Sequence, residues 1–223
     1  MYDCAVPTQT GFDASIATTI ATEVRRIRKD REQSTRVLAD ECAKLGMASL
    51  TRNRISDLEV GRLHSVTVAE LLVLAAALGV PPVLLLCPVG HQEAIEILPG
   101  KEAATFAAAQ WISGEAPLAE LGEEDYIASI ASDWNHATGN PLAIYRKYDS
   151  AAKEEMDALR RARQMDEQAA AGYLDDEQRK ALAMAAAAMR DGAERSRGAR
   201  ENVRREAERL GLLPPGEAGA GGH

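Results

Sequence analysis

The feature that most constrains this chain is a series of short amphipathic helical patterns between residues 16 and 88, each with its own start or stop signal. Ile16, Ile20, Val24 and Ile27 recur at the spacing of one helix face. The opposite face carries Arg25, Arg26, Arg28 and Lys29. A second helix starts near Ser34, turns Leu38, Cys42 and Leu45 inward, and stops at Gly46. A third starts at the N-cap Thr51, buries Ile55 and Leu58, and ends at Gly61. Thr67-Val68-Ala69-Glu70 is a capping box, and Val66 with Leu71 forms its hydrophobic staple. The helix it opens buries Leu71, Leu74, Ala75 and Leu78 and ends at Gly79. Pro81-Pro82 then opens a fifth helix over 83–86. Five short helices with short links predict a small all-α domain around one core. Its candidate core is Ile20, Val24, Ile27, Leu38, Cys42, Leu45, Ile55, Leu58, Leu71, Leu74, Leu78 and Leu85.

Charge and cysteine usage narrow the function. The 223 residues carry a formal net charge of -8, which excludes a uniformly basic coat for nucleic acid. The charge is uneven. Residues 91–145 hold 9 acidic residues against one basic, Lys101, whereas residues 20–64 hold 10 basic against 7 acidic. Any nucleic-acid site is therefore local and near the N-terminus. Cys4, Cys42 and Cys87 lie far apart with no CxxC pair, which predicts neither a disulfide framework nor a cysteine zinc site. Cys87, His91 and Glu93 fit no standard zinc spacing. No apolar run approaches the roughly 20 residues of a membrane span. The first residues show no secretory pattern, and a cytoplasmic location is expected.

The stretch VRRIRKDREQSTRVLADECAKLG…LTRNRISDLEVGR…VTVAELLVLAAALGVPPVLLL resembles the lambda-repressor-like, Xre-type helix-turn-helix domain over about residues 16–88. The best pieces are LAxxC before the turn, IxxLExGR closing the third helix, and LLxLAxALGVPP after it. The turn GMASL is longer than in the minimal phage-repressor form and resembles a lengthened-turn bacterial and phage subset. The resemblance implies a five-helix DNA-binding domain whose third helix reads bases.

With Ile55 and Leu58 inward, Arg52, Asn53, Ser56 and Asp57 fall on or near the free face of that helix. Arginine bonds bidentately to guanine and asparagine to adenine. By position, Arg52, Asn53 and Asp57 match the family's main base-reading sites. Asp57 either accepts from a cytosine amino group or repels phosphate. The resemblance places Thr51, Arg54, Arg62, His64 and Ser65 near the DNA backbone. Ser34, Thr35 and Arg36, at the second helix's N-terminus, would hold a phosphate. It also aligns Arg28 and Glu59 with a buried pair tying the first helix to the end of the third.

Residues 89–140 read as an acidic linker. Ala94–Leu98 is a short strand or an extended arm, stopped by Pro99-Gly100. Residues 103–112 and 123–137 read as helices presenting Phe106, Trp111, Tyr126 and Trp134, which pack the linker onto the first domain; the alternative is a ligand pocket, with Trp111 and Trp134 the first residues to meet a small effector. Residues 141–211 read as a long helical hairpin or coiled coil. In the first half Tyr145, Tyr148, Ala152, Met156 and Leu159 form a heptad-like stripe. In the second, Asp175 and Gln178 make a capping box ahead of Leu182, Ala185, Met189, Val203 and Leu210. That arm would run about 54 Å at 1.5 Å per residue. Residues 1–14 and 212–223 are expected to be flexible.

No nucleophile elbow, phosphate-binding glycine loop or HExxH motif is present, so no enzyme or cofactor is expected. Three readings remain. The first is a sequence-specific transcription regulator, a homodimeric repressor on double-stranded DNA, of phage or mobile-element type. The second is a DNA-binding antitoxin whose acidic middle or helical tail neutralises a protein. The third is an adaptor that binds protein through residues 89–211.

Overall fold

The computed structural model describes residues 9–118, 141–171 and 174–215. The chain divides into two compact units, Met1–Ala131 and Ser132–His223. Both are predominantly helical in their described residues, apart from one two-stranded sheet in the first. None of the described helices is long and apolar enough to cross a membrane.

The first unit opens with α1 (Gln9–Asp30), α2 (Thr35–Lys44), α3 (Arg52–Glu59), α4 (Val68–Ala77) and α5 (Val83–Leu86). Residues 9–14, predicted as part of a flexible terminus, are already helical, because the apolar spacing of Ile16 extends back to the half-buried Phe12. Local chemistry sets the other boundaries. Ser34, Thr51 and Thr67 each accept a backbone N–H three residues on. At Thr67 the carboxylate of Glu70 reaches back to the cap amide, completing the box. At the far ends, Gly46 and Gly61 take positive φ of 92° and 74°, which residues with a Cβ avoid. Around Gly46, Met47 N–H donates to Cys42 O and Gly46 N–H to Ala43 O, both at 3.0 Å. This six-to-one and five-to-two pairing satisfies carbonyls that the helix end leaves open.

One core joins these helices. Ile20, Val24, Ile27, Leu38, Cys42, Ile55, Leu58, Leu71, Leu74, Leu78 and Leu85 are all buried in it, together with Leu50 from the turn. Leu45 does not join them. It is the C-cap of α2 and 51 % exposed, because the chain turns at Gly46 one residue later. α1 packs on α3 and α5, and α2 packs on α3 and α4. The Arg31 guanidinium donates to Leu78 O, tying the end of α1 to the carbonyl end of α4.

A smaller core follows. β1 (Ala94–Leu98) pairs antiparallel with β2 (Lys101–Ala104) through a turn at Pro99-Gly100, with Ile95 opposite Ala103 and Glu96 opposite Glu102. The pair of turn residues thus returns the strand rather than ending it. β2 also takes residues 103–104 from the predicted helix, so α6 spans Thr105–Ile112. Cys87, Ile95, Ala103, Ala108 and Leu118 form this core, with Trp111 packed at its side. Phe106, expected to pack the segment onto the first domain, is instead 60 % exposed and lies outside this core. Tyr126, Trp134 and the helix predicted over 123–137 lie outside the described residues.

The second unit is an antiparallel hairpin of α7 (Pro141–Ala169) and α8 (Asp176–Arg209), the latter opened by the Asp175–Gln178 box. In α7 the seam lies one residue before the predicted stripe, and in α8 the buried Ala186 lies one residue after the predicted Ala185. Ile144, Ala151, Glu155 and Ala162 of α7 are buried, as are Ala186, Ala193 and Ala207 of α8. Met156 and Leu159 are 60 % and 43 % exposed. Alanines make up most of the seam and let the two backbones approach closely, with Ile144 the large apolar side chain in it. Glu155 is the charged member of the seam. Its Oε1 accepts from Arg197 Nε at 2.8 Å, while Arg200 Nη2 lies 3.2 Å from Oε2 without hydrogen-bond geometry. The Arg200 guanidinium also sits over the Tyr148 ring, 5.7 Å from its centroid.

Candidate nucleic-acid interface

The site is built from α2, the turn after it and α3. Gly46 releases the chain from α2, and the buried Leu50 pins the turn to the core. Thr51 then restarts the helix, its hydroxyl accepting from Arg54 N–H at 3.3 Å. Ile55 and Leu58 face the core. Their burial turns Arg52, Asn53 and Ser56 outward, and all three are exposed. Among the described residues none of the three side chains makes a hydrogen bond or an ion pair, so their donors are free for an external partner.

Charged anchors hold α3 in place from both ends. At its C-terminal end, Arg28 of α1 grips Glu59 bidentately, Nε to Oε1 at 2.7 Å and Nη2 to Oε2 at 2.6 Å. Arg28 Nη1 also donates to Gln33 O at 2.6 Å. The two side chains are 12 % and 7 % exposed. The hydrogen bond to Glu59 pushes the Arg28 pKa up, against an opposing push from burial. Nearer the N-terminal end, Arg54 Nε donates to Glu70 Oε1 at 2.6 Å. Glu70 Oε2 accepts from Thr67 N–H at 2.9 Å and from its hydroxyl at 3.1 Å. Burial alone would raise the Glu70 pKa, but Arg54 and Thr67 together hold it below the ordinary value. One carboxylate thus both caps α4 and binds α3.

The remaining positions divide by what their side chains already do. Asp57 is half-buried and accepts from Arg62 Nη1 at 2.9 Å. This pair lies on the exposed side of the exit of α3, with both side chains still reached by solvent. Arg54 has its Nε committed to Glu70. Ser34 Oγ accepts from Val37 N–H at 3.2 Å, which leaves its hydrogen to donate. Thr35 is half-buried beside it, and Arg36 is exposed with no partner among the described residues. Thr51, His64 and Ser65 are exposed. The Arg54–Glu70 and Arg62–Asp57 contacts were not legible in the sequence. The first spans 16 positions and has no local signature, because Glu70 is already explained by its cap.

The arrangement offers one guanidinium, one amide and one hydroxyl on a short rigid helix. A second guanidinium and a helix N-terminus lie at the start of α2. That set suits bonding to base edges and a phosphate, and it contains no nucleophile paired with a base. Compared with known proteins, the chain matches no family model, no curated relative and no solved structure.

Proposed function

We propose that this protein is a sequence-specific DNA-binding regulator with a lambda-repressor-like helix-turn-helix domain over residues 15–88. The observation that carries the reading is the exposed, unpaired triplet Arg52, Asn53 and Ser56 on a helix clamped by Arg28–Glu59 and Arg54–Glu70. A reading helix needs free polar groups at its first turns and a fixed angle behind them. In this reading Arg52 bonds guanine and Asn53 bonds adenine in the major groove, with Ser56 beside them. Asp57, turned toward Arg62, shapes the site by repelling phosphate more than by taking a base. Thr51, His64, Ser65, Arg62 and the remaining donors of Arg54 lie along the backbone. Ser34, Thr35 and Arg36 hold a phosphate at the start of α2. Two copies on a two-fold site, about one DNA turn apart, would double the contacts and give repression by occupancy.

The test is fragment selection. Purified protein is mixed with sheared genomic DNA at physiological salt, and the bound fraction is sequenced. A two-fold-symmetric motif that is lost in the Arg52→Ala/Asn53→Ala variant supports the reading, and Arg52→Ala alone weakens that motif by roughly 1–3 kcal/mol. A motif bound equally by the variant removes α3 as the reader. The adaptor reading draws on Leu142, Met156 and Leu159, large apolar side chains left exposed on α7. No DNA enrichment at all would favour it.

A further inference from the structure

The first unit holds a second concave site that the DNA-binding reading does not use. A cavity of 260 Å³ lies between the first half of α1, α5, the β-hairpin and α6. Phe12, Ile16, Leu86, Ile97 and Trp111 give it apolar and aromatic walls. Thr19, Ile95 and Glu96 lie on its edge and also line an adjoining open groove, whose other members include Ser15, Gln92 and Glu102.

The groove has an unusual electrostatic feature. Glu96 and Glu102 are direct partners across the β1–β2 ladder. Like charges in that position destabilise a strand pair. One oxygen of Glu96 accepts from Gly100 N–H at 2.8 Å, but among the described residues no lysine or arginine pairs with either carboxylate. The intervening chain offers only Lys101, which is exposed and unpaired with them. An apolar, aromatic hollow that opens onto two uncompensated carboxylates complements an apolar body with a positive head. The indole of Trp111 at the wall offers an aromatic surface to the ligand's ring. At 260 Å³ the hollow lies just below the roughly 300–1,000 Å³ of drug-sized ligand sites, which suits one ring and a short cationic head.

We propose that this hollow binds a small hydrophobic cation, with its ring against Phe12, Ile16 and Trp111 and its positive group between Glu96 and Glu102. The site stands independently of what α3 reads.

Three probes of one shape test it: benzyltrimethylammonium, neutral benzyl alcohol and anionic phenylacetate. Each is titrated into the full chain carrying Trp134→Phe, so that Trp111 fluorescence reports the site. The expected result is saturable binding of the cation, at least fivefold tighter than the alcohol, with phenylacetate weakest. Glu96→Gln/Glu102→Gln keeps an acceptor for Gly100 N–H and should erase the preference while leaving benzyl alcohol binding within twofold. Calorimetry repeats the titration without relying on the indole. No saturable binding of the cation overturns the proposal. So does equal binding of cation and alcohol, or a preference that survives in the double variant.

Discussion

Replacing Glu59 by alanine leaves the Arg28 guanidinium inside the first core with its main partner gone. Two bonds to an ionised group disappear, at 2.7 and 2.6 Å, each worth roughly 1.5–3 kcal/mol. Breaking one side of a buried pair generally costs roughly 3–5 kcal/mol, because the stranded charge keeps its desolvation penalty. Arg28 is 12 % exposed, which is close to that limit, but its bond to Gln33 O survives. The expected loss is therefore about 3 kcal/mol. Arg28→Met/Glu59→Leu removes both charges and fills the same space, so it should lose less than about 1 kcal/mol. The coupling energy between the two sites should then exceed about 2 kcal/mol. Urea unfolding followed by Trp111 fluorescence, with Trp134 replaced by phenylalanine, measures Glu59→Ala, the single variants Arg28→Met and Glu59→Leu, and the double variant in the first unit. Single variants that each cost under about 1 kcal/mol, or costs that simply add, would refute the idea that this pair sets the seat of α3.

Three further outcomes follow from the same geometry. Glu70 has a folded-state pKa depressed below 4.5, so its contribution is present above that pH and is lost as pH falls through the lower folded value. Glu70→Gln should flatten the acid limb of stability below about pH 4.5, and an unchanged acid limb in urea titrations would contradict the Arg54–Glu70 clamp. Burial pushes the Cys87 thiol up to about 11 and raises Cys42 as well, so neither forms thiolate at neutral pH. In a Cys4→Ser background a chromogenic disulfide reagent at pH 7.5 should find no reactive thiol in the folded protein and two in urea; rapid native labelling would show that the cores open. In the hairpin, Glu155 is buried and keeps one oxygen without a hydrogen bond, while its partner Arg197 stays largely in water. Glu155→Leu should raise the helix melting temperature, by a gain on the order of 1 kcal/mol, and a lower melting temperature would mean that the ionic layer is a net stabiliser.

How far the sequence could be read depended on the range of the forces involved. Ser34, Thr51, Thr67 and Asp175 announced helix starts because a cap bonds an amide only three residues away. Gly46 and Gly61 announced ends because positive φ is a local demand. Leu50, Leu45 and Phe106 were misjudged or missed because exposure depends on where a neighbouring element passes. Leu50 sits in a turn yet is buried, while Leu45 fits the α2 stripe yet points past the last turn. Ala94–Leu98 was readable as extended chain, but its partner Lys101–Ala104 was hidden in an alanine-rich run that favours a helix in isolation.

The candidate site divides in the same way. The sequence by itself determined the polar triplet of α3, because burying Ile55 and Leu58 on a 3.6-residue period leaves Arg52, Asn53 and Ser56 on the other side. Only the tertiary structure decided which charges stay free. Glu70 is drawn to Arg54, Asp57 to Arg62, and Glu155 into an alanine seam, by partners brought close when separate helices pack. Helical period is written into every few residues. A charge pair between elements exists only after the chain has paid the entropy of bringing them together, so no local pattern announces it.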